Sequence, residues 1–418
     1  MAESVPCSIR VGGGRLAGWS CGAGTCGTGL LMIINKVCDT VWIGVRHRMG
    51  RIRGFAWAEA CGMTLATTTE TASDSSTTKK RRWPLIGALG AVGAGALGFF
   101  TSCSSMSKAT LQAELAALPK NAQMGAVERL PMTVDLGDGP EELELVYYKA
   151  GTPNPDSLPV VLIHGTPSTL YSWSEVIHGK SPEADDDRPE WQGLAETHEV
   201  YAIEVIGHGI APGSAQPYSF EKCARYIGAA LEALELDAVF MVGTSYGGEF
   251  VWRAALNEPE RIQGIVLLDS SGIERREEDW LSEEEVMRDF WLADYGYLLN
   301  SKDRINAALE PHFENGAVPL NRVDEFHLVC ENKENWKAMI DLVRDEQGKR
   351  AAELAELEAR ALLVWGAADL AYPADYYATR FDALIPNSEV YVLDGIGHYP
   401  HDDRTREVLA EMRRFFTR

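Results

Sequence analysis

A serine stands at the centre of Gly243-Thr244-Ser245-Tyr246-Gly247, a segment that fits the pattern G-x-S-x-G. A serine hydroxyl is a weak nucleophile unless a neighbouring base takes its proton. The pattern predicts a tight turn from a strand into a helix, which lifts the hydroxyl out of the sheet and points the helix N-terminus at the reacting group. Gly243 and Gly247 permit the close backbone packing of such a turn. Ser245 is therefore the predicted nucleophile.

A base and a carboxylate that could activate this serine follow later in the chain. His398 lies in the segment DGIGH, just beyond the last predicted strand, and histidine exchanges protons near neutral pH. His401 is a nearby rival, but it falls at the start of the next helix, which favours His398. Asp369, in the segment WGAAD, follows the penultimate strand and is the predicted orienting carboxylate. Asp269 is the alternative acid, or else a structural residue that bonds the amides of its own loop.

A loop earlier in the chain could stabilise negative charge on the substrate. His164, Gly165, Thr166 and Pro167 directly follow a continuous apolar run. Here the backbone could turn an N–H toward the reacting carbonyl, and the N–H groups of Thr166 and Tyr246 would then form an oxyanion hole. The alternative is an ordinary loop with a proline turn.

The segments that hold these residues alternate between predicted strands and helices from about residue 130 onward. Four runs, residues 159–163, 238–242, 264–269 and 361–366, are apolar except for the Asp269 that ends the third, as strands buried on both faces are. Helical spacing predicts helices over residues 220–236 and 404–416. This alternation predicts an α/β fold with a mostly parallel sheet covered by helices on both faces, formed by residues 129–272 and 352–418.

Residues 273–351 interrupt this alternation with charged helical segments and no buried-strand run, which predicts a helical cap over the active site. Its aromatic side chains could line a substrate pocket or merely hold the cap together. They are Trp280, Phe290, Trp291, Tyr295, Tyr297, Phe313 and Trp336.

The first 103 residues have a different character. Residues 1–62 show no sustained helix or strand period, and we expect them to be poorly ordered or to result from an over-extended gene start before Met63. Residues 63–103 combine a basic cluster, a weakly hydrophobic core and small residues, which predicts an export signal. Cys103 is the candidate lipidation site. The enzyme would then lie in the cell envelope or be secreted, or an uncleaved segment would anchor it in a membrane. Residues 104–128 are the predicted spacer.

Charge and composition limit the partners. Residues 104–418 carry 28 basic and 56 acidic side chains, so that nucleic acid phosphates would be repelled. Histidines and cysteines do not cluster at metal-ligand spacing, and no glycine-rich phosphate motif follows a strand. We therefore expect no metal and no cofactor, and read Cys223 and Cys330 as packing residues. The predicted partner is a small-molecule ester, with the oligomeric state open.

From about Leu130 to Arg418 the chain resembles the capped α/β-hydrolases, a group that includes haloalkane dehalogenases, epoxide hydrolases, haloperoxidase-like esterases and lipases. The matching elements are HGTP, GTSYGG, WGAAD and GIGH, in order and at suitable separations. The resemblance implies the α/β-hydrolase fold with a cap. Dehalogenases and epoxide hydrolases of this group use an aspartate nucleophile, so Ser245 argues against both activities.

The leading expectation is hydrolysis of a carboxylic ester, as by an esterase or lipase, through an acyl-enzyme on Ser245. The aromatic cap suggests an apolar acyl or aryl group. Perhydrolysis of the haloperoxidase type and lactone cleavage are compatible with the same triad. The non-enzyme alternative is a degenerate hydrolase fold that serves as a binding protein.

Overall fold

The computed structural model describes residues 105–182, 188–214, 217–290, 293–345 and 349–417, together with five strands nearer the amino terminus. The chain divides into two compact units, Met1–Leu89 and Gly90–Arg418.

The described residues of the first unit form two small antiparallel sheets. Its strands are β1 (Pro6–Val11), β2 (Gly14–Ser20), β3 (Thr28–Ile34), β4 (Thr40–His47) and β5 (Ile52–Glu59). Strand β1 pairs with β2, and β4 pairs with both β3 and β5. The sequence pattern of residues 1–62 does not predict these strands. They pair only with chain neighbours, a local arrangement that needs residues of strand propensity but no regular alternation of polar and apolar positions.

The predicted export segment, residues 63–103 with Cys103, lies outside the described residues, and its role stays a prediction. Among the helices that are described, none is long and apolar enough to cross a membrane.

The second unit is built on an eight-stranded sheet. Its strands are β6 (Glu128–Asp135), β7 (Pro140–Ala150), β8 (Val160–Ile163), β9 (Val200–Ile203), β10 (Val239–Thr244), β11 (Ile262–Leu268), β12 (Arg360–Gly366) and β13 (Ser388–Leu393). They lie in the order β13-β12-β11-β10-β8-β9-β7-β6. Only β7 runs against its neighbours, β6 and β9, so the predicted mostly parallel sheet is confirmed.

Helices cover both faces of this sheet. They are α1 (Lys108–Ala116), α2 (Ser174–His178), α3 (Phe220–Ala233), α4 (Tyr246–Asn257), α5 (Ser282–Asp289), α6 (Lys302–Leu309), α7 (Arg322–Glu331), α8 (Lys333–Asp345), α9 (Tyr377–Leu384), α10 (Pro400–Asp403) and α11 (Thr405–Phe416). Helices α3, α4 and α9 contribute to one apolar core, and α1, α2 and α11 contribute to the other.

Strand β8 explains why the central strands are apolar at every position. Val161 and Ile163 belong to the core on one face, whereas Val160 and Leu162 belong to the core on the other. All four side chains are fully buried. Since side chains alternate between the faces of a sheet, a strand covered on both sides must be apolar throughout. Each such side chain contributes about 1.5–3 kcal/mol through burial.

The segment between β11 and β12 forms helices α5 to α8 and contains no strand in its described parts. Tyr297, Phe313 and Trp336 are buried, and the Trp336 indole N–H donates to the carbonyl oxygen of Ala293 at 2.7 Å. These aromatic side chains hold the inserted segment together. Trp291 lies outside the described residues.

The described part of the predicted spacer belongs to the second unit and packs against the rest of it. Leu111 and Leu115 of α1 are fully buried in one of the two cores. Lys108 donates to the carbonyl oxygen of Gly209 at 2.8 Å and to the side chain of Asn335. Because Asn335 lies in α8, this lysine joins the sheet domain to the inserted helices.

Candidate active site

Ser245 occupies a strained turn between β10 and α4. Its φ of 54° and ψ of −126° are unusual for a residue that is not glycine. The turn is fixed by its backbone: the Ser245 N–H donates to the Leu268 carbonyl at 2.9 Å, and its carbonyl accepts from Gly248 and Ser271. The residue is 9% exposed. The sequence thus places a nearly buried hydroxyl at the N-terminus of a helix.

Two glycines allow the backbone to pack around this turn. A Cβ atom at Gly243 would lie less than 3.0 Å from the carbonyl oxygen of Gly247. At Gly247, it would lie equally close to the carbonyl oxygen of His164. Both obstacles are backbone atoms, which cannot rotate away, so any side chain at these positions forces the strands and the helix apart.

Gly247→Ala is therefore expected to destabilise the protein by at least about 2 kcal/mol, through overpacking against the backbone. Gly125→Ala is the matched control, because its Cβ would approach Tyr148 no closer than 3.8 Å. Thermal unfolding followed by circular dichroism measures both. Equal midpoints for the two variants would show that the turn at Ser245 is not tightly packed.

A histidine and an aspartate form a buried pair beyond the ends of β12 and β13. His398 Nδ1 lies 2.9 Å from Asp369 Oδ2, and Asp369 Oδ1 accepts the N–H of Ala371 at 2.8 Å. Since a carboxylate only accepts, Nδ1 must carry the proton, which leaves Nε2 of His398 to take another. This is the geometry in which a carboxylate orients a general base.

Asp269 is the second carboxyl group at this place. Its Oδ1 accepts the N–H of Gly366 at 2.9 Å, which bonds Asp269 to the end of β12. The structural alternative from the sequence placed this contact on the amides of the residue's own loop instead. Burial and the charge of Asp369 hold the pKa of Asp269 well above its ordinary value. Burial opposes ionisation of Asp369 too, but the charge of His398 and its hydrogen bond outweigh this and lower the pKa of Asp369. Asp369 is thus the ionised partner of His398.

Asp269, Asp369 and His398 have potential ligand atoms that all lie within 4.8 Å of one another. Across the residues that the structure describes, this is the one such cluster at metal-ligand spacing. The hydrogen bond from His398 to Asp369 and the raised pKa of Asp269 suit proton transfer. The expectation that the protein needs no metal or cofactor stays a prediction.

His398 has a better environment for a base than His401. Both are nearly buried, but the His401 ring packs against Trp173, with ring centroids 5.0 Å apart and ring planes tilted by 35°. Burial lowers the pKa of His401 to about 4. Within the described chain, His401 donates to no carboxylate, unlike His398. The Ser245 hydroxyl makes no hydrogen bond with His398 among the described residues. Catalytic hydrogen bonds are often long without substrate and tighten when it binds.

The loop after β8 lies directly against the nucleophile. A Cβ at Gly165 would sit 3.0 Å from the Cβ of Ser245. The Thr166 hydroxyl lies 2.6 Å from His208 Nε2, and burial lowers the pKa of His208 to about 3. A neutral His208 therefore fixes the side chain of Thr166. The loop is well placed for the predicted oxyanion hole, a role that stays a prediction for Thr166 and Tyr246.

A narrow cavity of about 10 Å³ opens beside Ser245 and has room for about one water-sized group. It is lined by Gly165, Thr166, Ser168, Thr244, Ser245, Arg322, Phe326, Tyr399 and His401. The described aromatic residues predicted for the cap are absent from this lining. Arg322 and Phe326 lie four positions apart on α7, and no sequence signal distinguished them from a solvated charged helix face.

Asp403 lies in α10, shortly after the loop that carries His398. It accepts the Glu314 N–H at 2.9 Å and so connects this loop to the segment inserted between β11 and β12. Burial, together with the charges of Asp402 and Glu314, raises the pKa of Asp403 to about 7. An unfolded aspartate titrates near about 4. Between those pH values the folded protein therefore binds one more proton than the unfolded chain. The stability that comes from the protonated Asp403 is fully present below about pH 4 and is lost as the pH rises through about 7.

Asp403→Asn keeps a neutral acceptor at every pH, so its unfolding midpoint at pH 8 should exceed that of the wild type by about 2–4 °C. The advantage should vanish by about pH 4, where Asp403 is protonated in both states. The exposed Asp375→Asn serves as the control. Thermal scans across this pH range measure the effect, and a pH-independent difference would contradict the assigned shift.

Comparison with known proteins gives consistent matches. Residues 159–405 match the family model described as "alpha/beta hydrolase fold". The uncharacterized hydrolase YugF of Bacillus subtilis (strain 168) is 26% identical over 274 residues, which cover 64% of this chain and 92% of that protein. The 2-hydroxy-6-oxo-2,4-heptadienoate hydrolase of Pseudomonas putida is 22% identical over 262 residues, covering 59% and 85%. A solved membrane phospholipase A, described as a bacterial virulence factor, superposes with a TM-score of 0.56 at 22% identity, covering 79% of this chain and 96% of that one.

Proposed function

Since the chain belongs to the α/β-hydrolase family and is an enzyme of that fold, we propose that it is a serine hydrolase that cleaves carboxylic esters through an acyl-enzyme on Ser245. The observation that carries the proposal is the buried hydrogen bond between His398 and Asp369, at the same sheet edge as the strained turn of Ser245. A nucleophile, a base and an orienting carboxylate are the parts that acyl transfer needs.

In the first half-reaction, the Ser245 oxygen attacks the ester carbonyl carbon while His398 Nε2 takes the hydroxyl proton. Asp369 stabilises the imidazolium that forms. The carbonyl oxygen becomes negative, and backbone N–H groups of Thr166 and Tyr246 would stabilise it by about 3–4 kcal/mol per donor. The intermediate collapses, His398 returns the proton to the leaving alkoxide, and the alcohol departs.

The second half-reaction uses the same groups on water. His398 takes a proton from a water molecule, whose oxygen attacks the acyl carbon on Ser245. Collapse of the second intermediate breaks the ester bond to the enzyme, and His398 reprotonates the serine oxygen. The products are a carboxylic acid and an alcohol, and the enzyme is unchanged.

A panel of 4-nitrophenyl esters of increasing acyl length tests this proposal by release of 4-nitrophenol. We expect hydrolysis of at least the short esters by the wild-type chain, with saturation kinetics. Matched 4-nitroanilides, whose leaving group is harder to expel, should react far more slowly. A folded protein that hydrolyses none of the esters would contradict the proposal.

A further inference from the structure

One wall of the cavity beside Ser245 carries polar atoms that have no protein partner. Ser168 Oγ, Thr244 Oγ1, Arg322 Nε and His401 Nδ1 are buried and make no hydrogen bond with any residue that the structure describes. Their side chains are almost completely enclosed, Arg322 being only 2% exposed. Buried polar atoms in native proteins nearly always have a partner. Four such residues around one cavity therefore call for a polar partner inside it, which a water molecule or a polar group of a ligand can supply.

Arg322 gives this wall its charge. One guanidinium nitrogen, Nη1, lies 3.4 Å from Glu325 Oε2, and Nη2 donates to Asp402, so the side chain is held rigidly while Nε stays unpartnered. No carboxylate is among the described lining residues. His401 is neutral, since burial lowers its pKa to about 4. The one formal charge facing the cavity is thus positive.

Cations and carboxylates are paired in the buried network behind Arg322. Lys120 Nζ lies 3.4 Å from Asp402 Oδ1 and 3.3 Å from Glu175 Oε2, which adds a second cation to the buried network. Glu325 also accepts the Thr169 hydroxyl at 2.9 Å, and burial raises its pKa despite the nearby Arg322. The carboxylates that contact Arg322 are thus held by further donors and are not among the lining residues, which leaves the guanidinium as the charged group of this wall.

The chemistry of the four atoms agrees with that charge. Arg322 Nε can only donate, and the hydroxyls of Ser168 and Thr244 can both donate. His401 Nδ1 donates in one tautomer of the neutral ring. A group that presents acceptor oxygens and a negative charge matches these donors, whereas an apolar acyl chain would leave every one of them unpaired.

We propose that the substrate carries an anionic oxyacid group, a carboxylate or a phosphate, one oxygen of which enters this cavity beside Arg322, Ser168, Thr244 and His401. This inference rests on the proposed ester hydrolysis and replaces the apolar group that the cap aromatics had suggested. The anionic group is near the scissile bond, because the same narrow cavity is lined by Ser245.

Monomethyl succinate and dimethyl succinate form a matched pair of substrates that differ in one negative charge. Methanol release, followed by nuclear magnetic resonance, should give a kcat/KM at least 10-fold higher for the monoester. Methyl 3-phosphonopropanoate replaces the carboxylate by a phosphonate, and the faster of the two anionic esters identifies the oxyacid. Equal or faster hydrolysis of the neutral diester would overturn the inference and leave the proposed function intact.

Variants of the cavity wall test the assigned contacts. Thr244→Val and Ser168→Ala remove one hydroxyl each, and each should reduce the preference for the monoester about 3- to 10-fold while the diester changes less. Arg322→Lys keeps the charge but moves it, and should abolish most of the preference. If the lysine variant fails to fold, the two variants that lack a hydroxyl still test whether the cavity wall sets the preference for the monoester. An unchanged preference in both would contradict the contacts.

A binding experiment separates this inference from the proposed function. Ser245→Ala is titrated by calorimetry with monomethyl succinate and with dimethyl succinate, which requires no turnover. We expect binding of the monoester alone, weakened at least 10-fold by the added change Thr244→Val. Absence of hydrolysis with selective binding would refute the ester hydrolase, whereas hydrolysis without selective binding would refute the anionic subsite.

Discussion

Replacing Ser245 with alanine is expected to lower kcat for ester hydrolysis by a factor of about 10⁴–10⁶, with the protein still folded. The substitution removes the oxygen that would form the acyl-enzyme, and His398 then has no nucleophile to deprotonate except water. Alanine can adopt the same strained backbone at no greater cost than serine, because both carry a Cβ atom.

Initial rates with a 4-nitrophenyl ester, together with a thermal scan, measure the effect of this change. Ser388→Ala, on the edge strand β13 and far along the sheet from β10, is the control and should keep wild-type rates. A Ser245→Ala variant that retains more than about a tenth of the wild-type kcat would show that another group attacks the substrate.

The second large expected effect is a difference in kcat between variants of the two buried aspartates, Asp369 and Asp269. Asp369→Asn should lower kcat about 10³- to 10⁴-fold, because an amide can donate to His398 Nδ1 and so favours the wrong tautomer of the ring. Asp269→Asn should cost less than about 10-fold. Burial and the charge of Asp369 raise the pKa of Asp269 and so disfavour its ionised form, and a neutral amide that still accepts the Gly366 N–H should therefore change little.

Steady-state kinetics and unfolding midpoints of the two variants decide between the aspartates, each substitution being the control of the other. The reverse order of effects would make Asp269 the orienting acid. Comparable losses in both, with folding intact, would mean that the two carboxyl groups act as one unit on His398.

The sheet and its reactive edge were predictable because each rests on a local pattern. A strand buried on both faces is apolar at every position, as in Val160–Ile163, and such runs are visible without any knowledge of the fold. The reactive residues follow the strands within a few positions, as Ser245 follows β10. The chain order then assigned Asp369 and His398 to the same edge.

The cavity could not be predicted because its walls come from distant parts of the chain. Arg322 lies 77 positions beyond Ser245, on a helix whose charged sequence is typical of a solvated surface. Only folding turns it inward, where Asp402 and Glu325 hold it. The contact of Asp269 with the N–H of Gly366, 97 positions away, was hidden for the same reason.

A fluorophosphonate probe tests the central claim most directly, since it phosphonylates a serine only where a base and an oxyanion site activate it. Folded protein is treated with the probe, digested and analysed by mass spectrometry, with heat-denatured protein and Ser245→Ala as controls. We predict one adduct per chain, on the peptide that contains Ser245, and none in either control. Folded, wild-type protein that stays unlabelled, or that carries its adduct on a different residue, would contradict the assignment of Ser245 as the nucleophile.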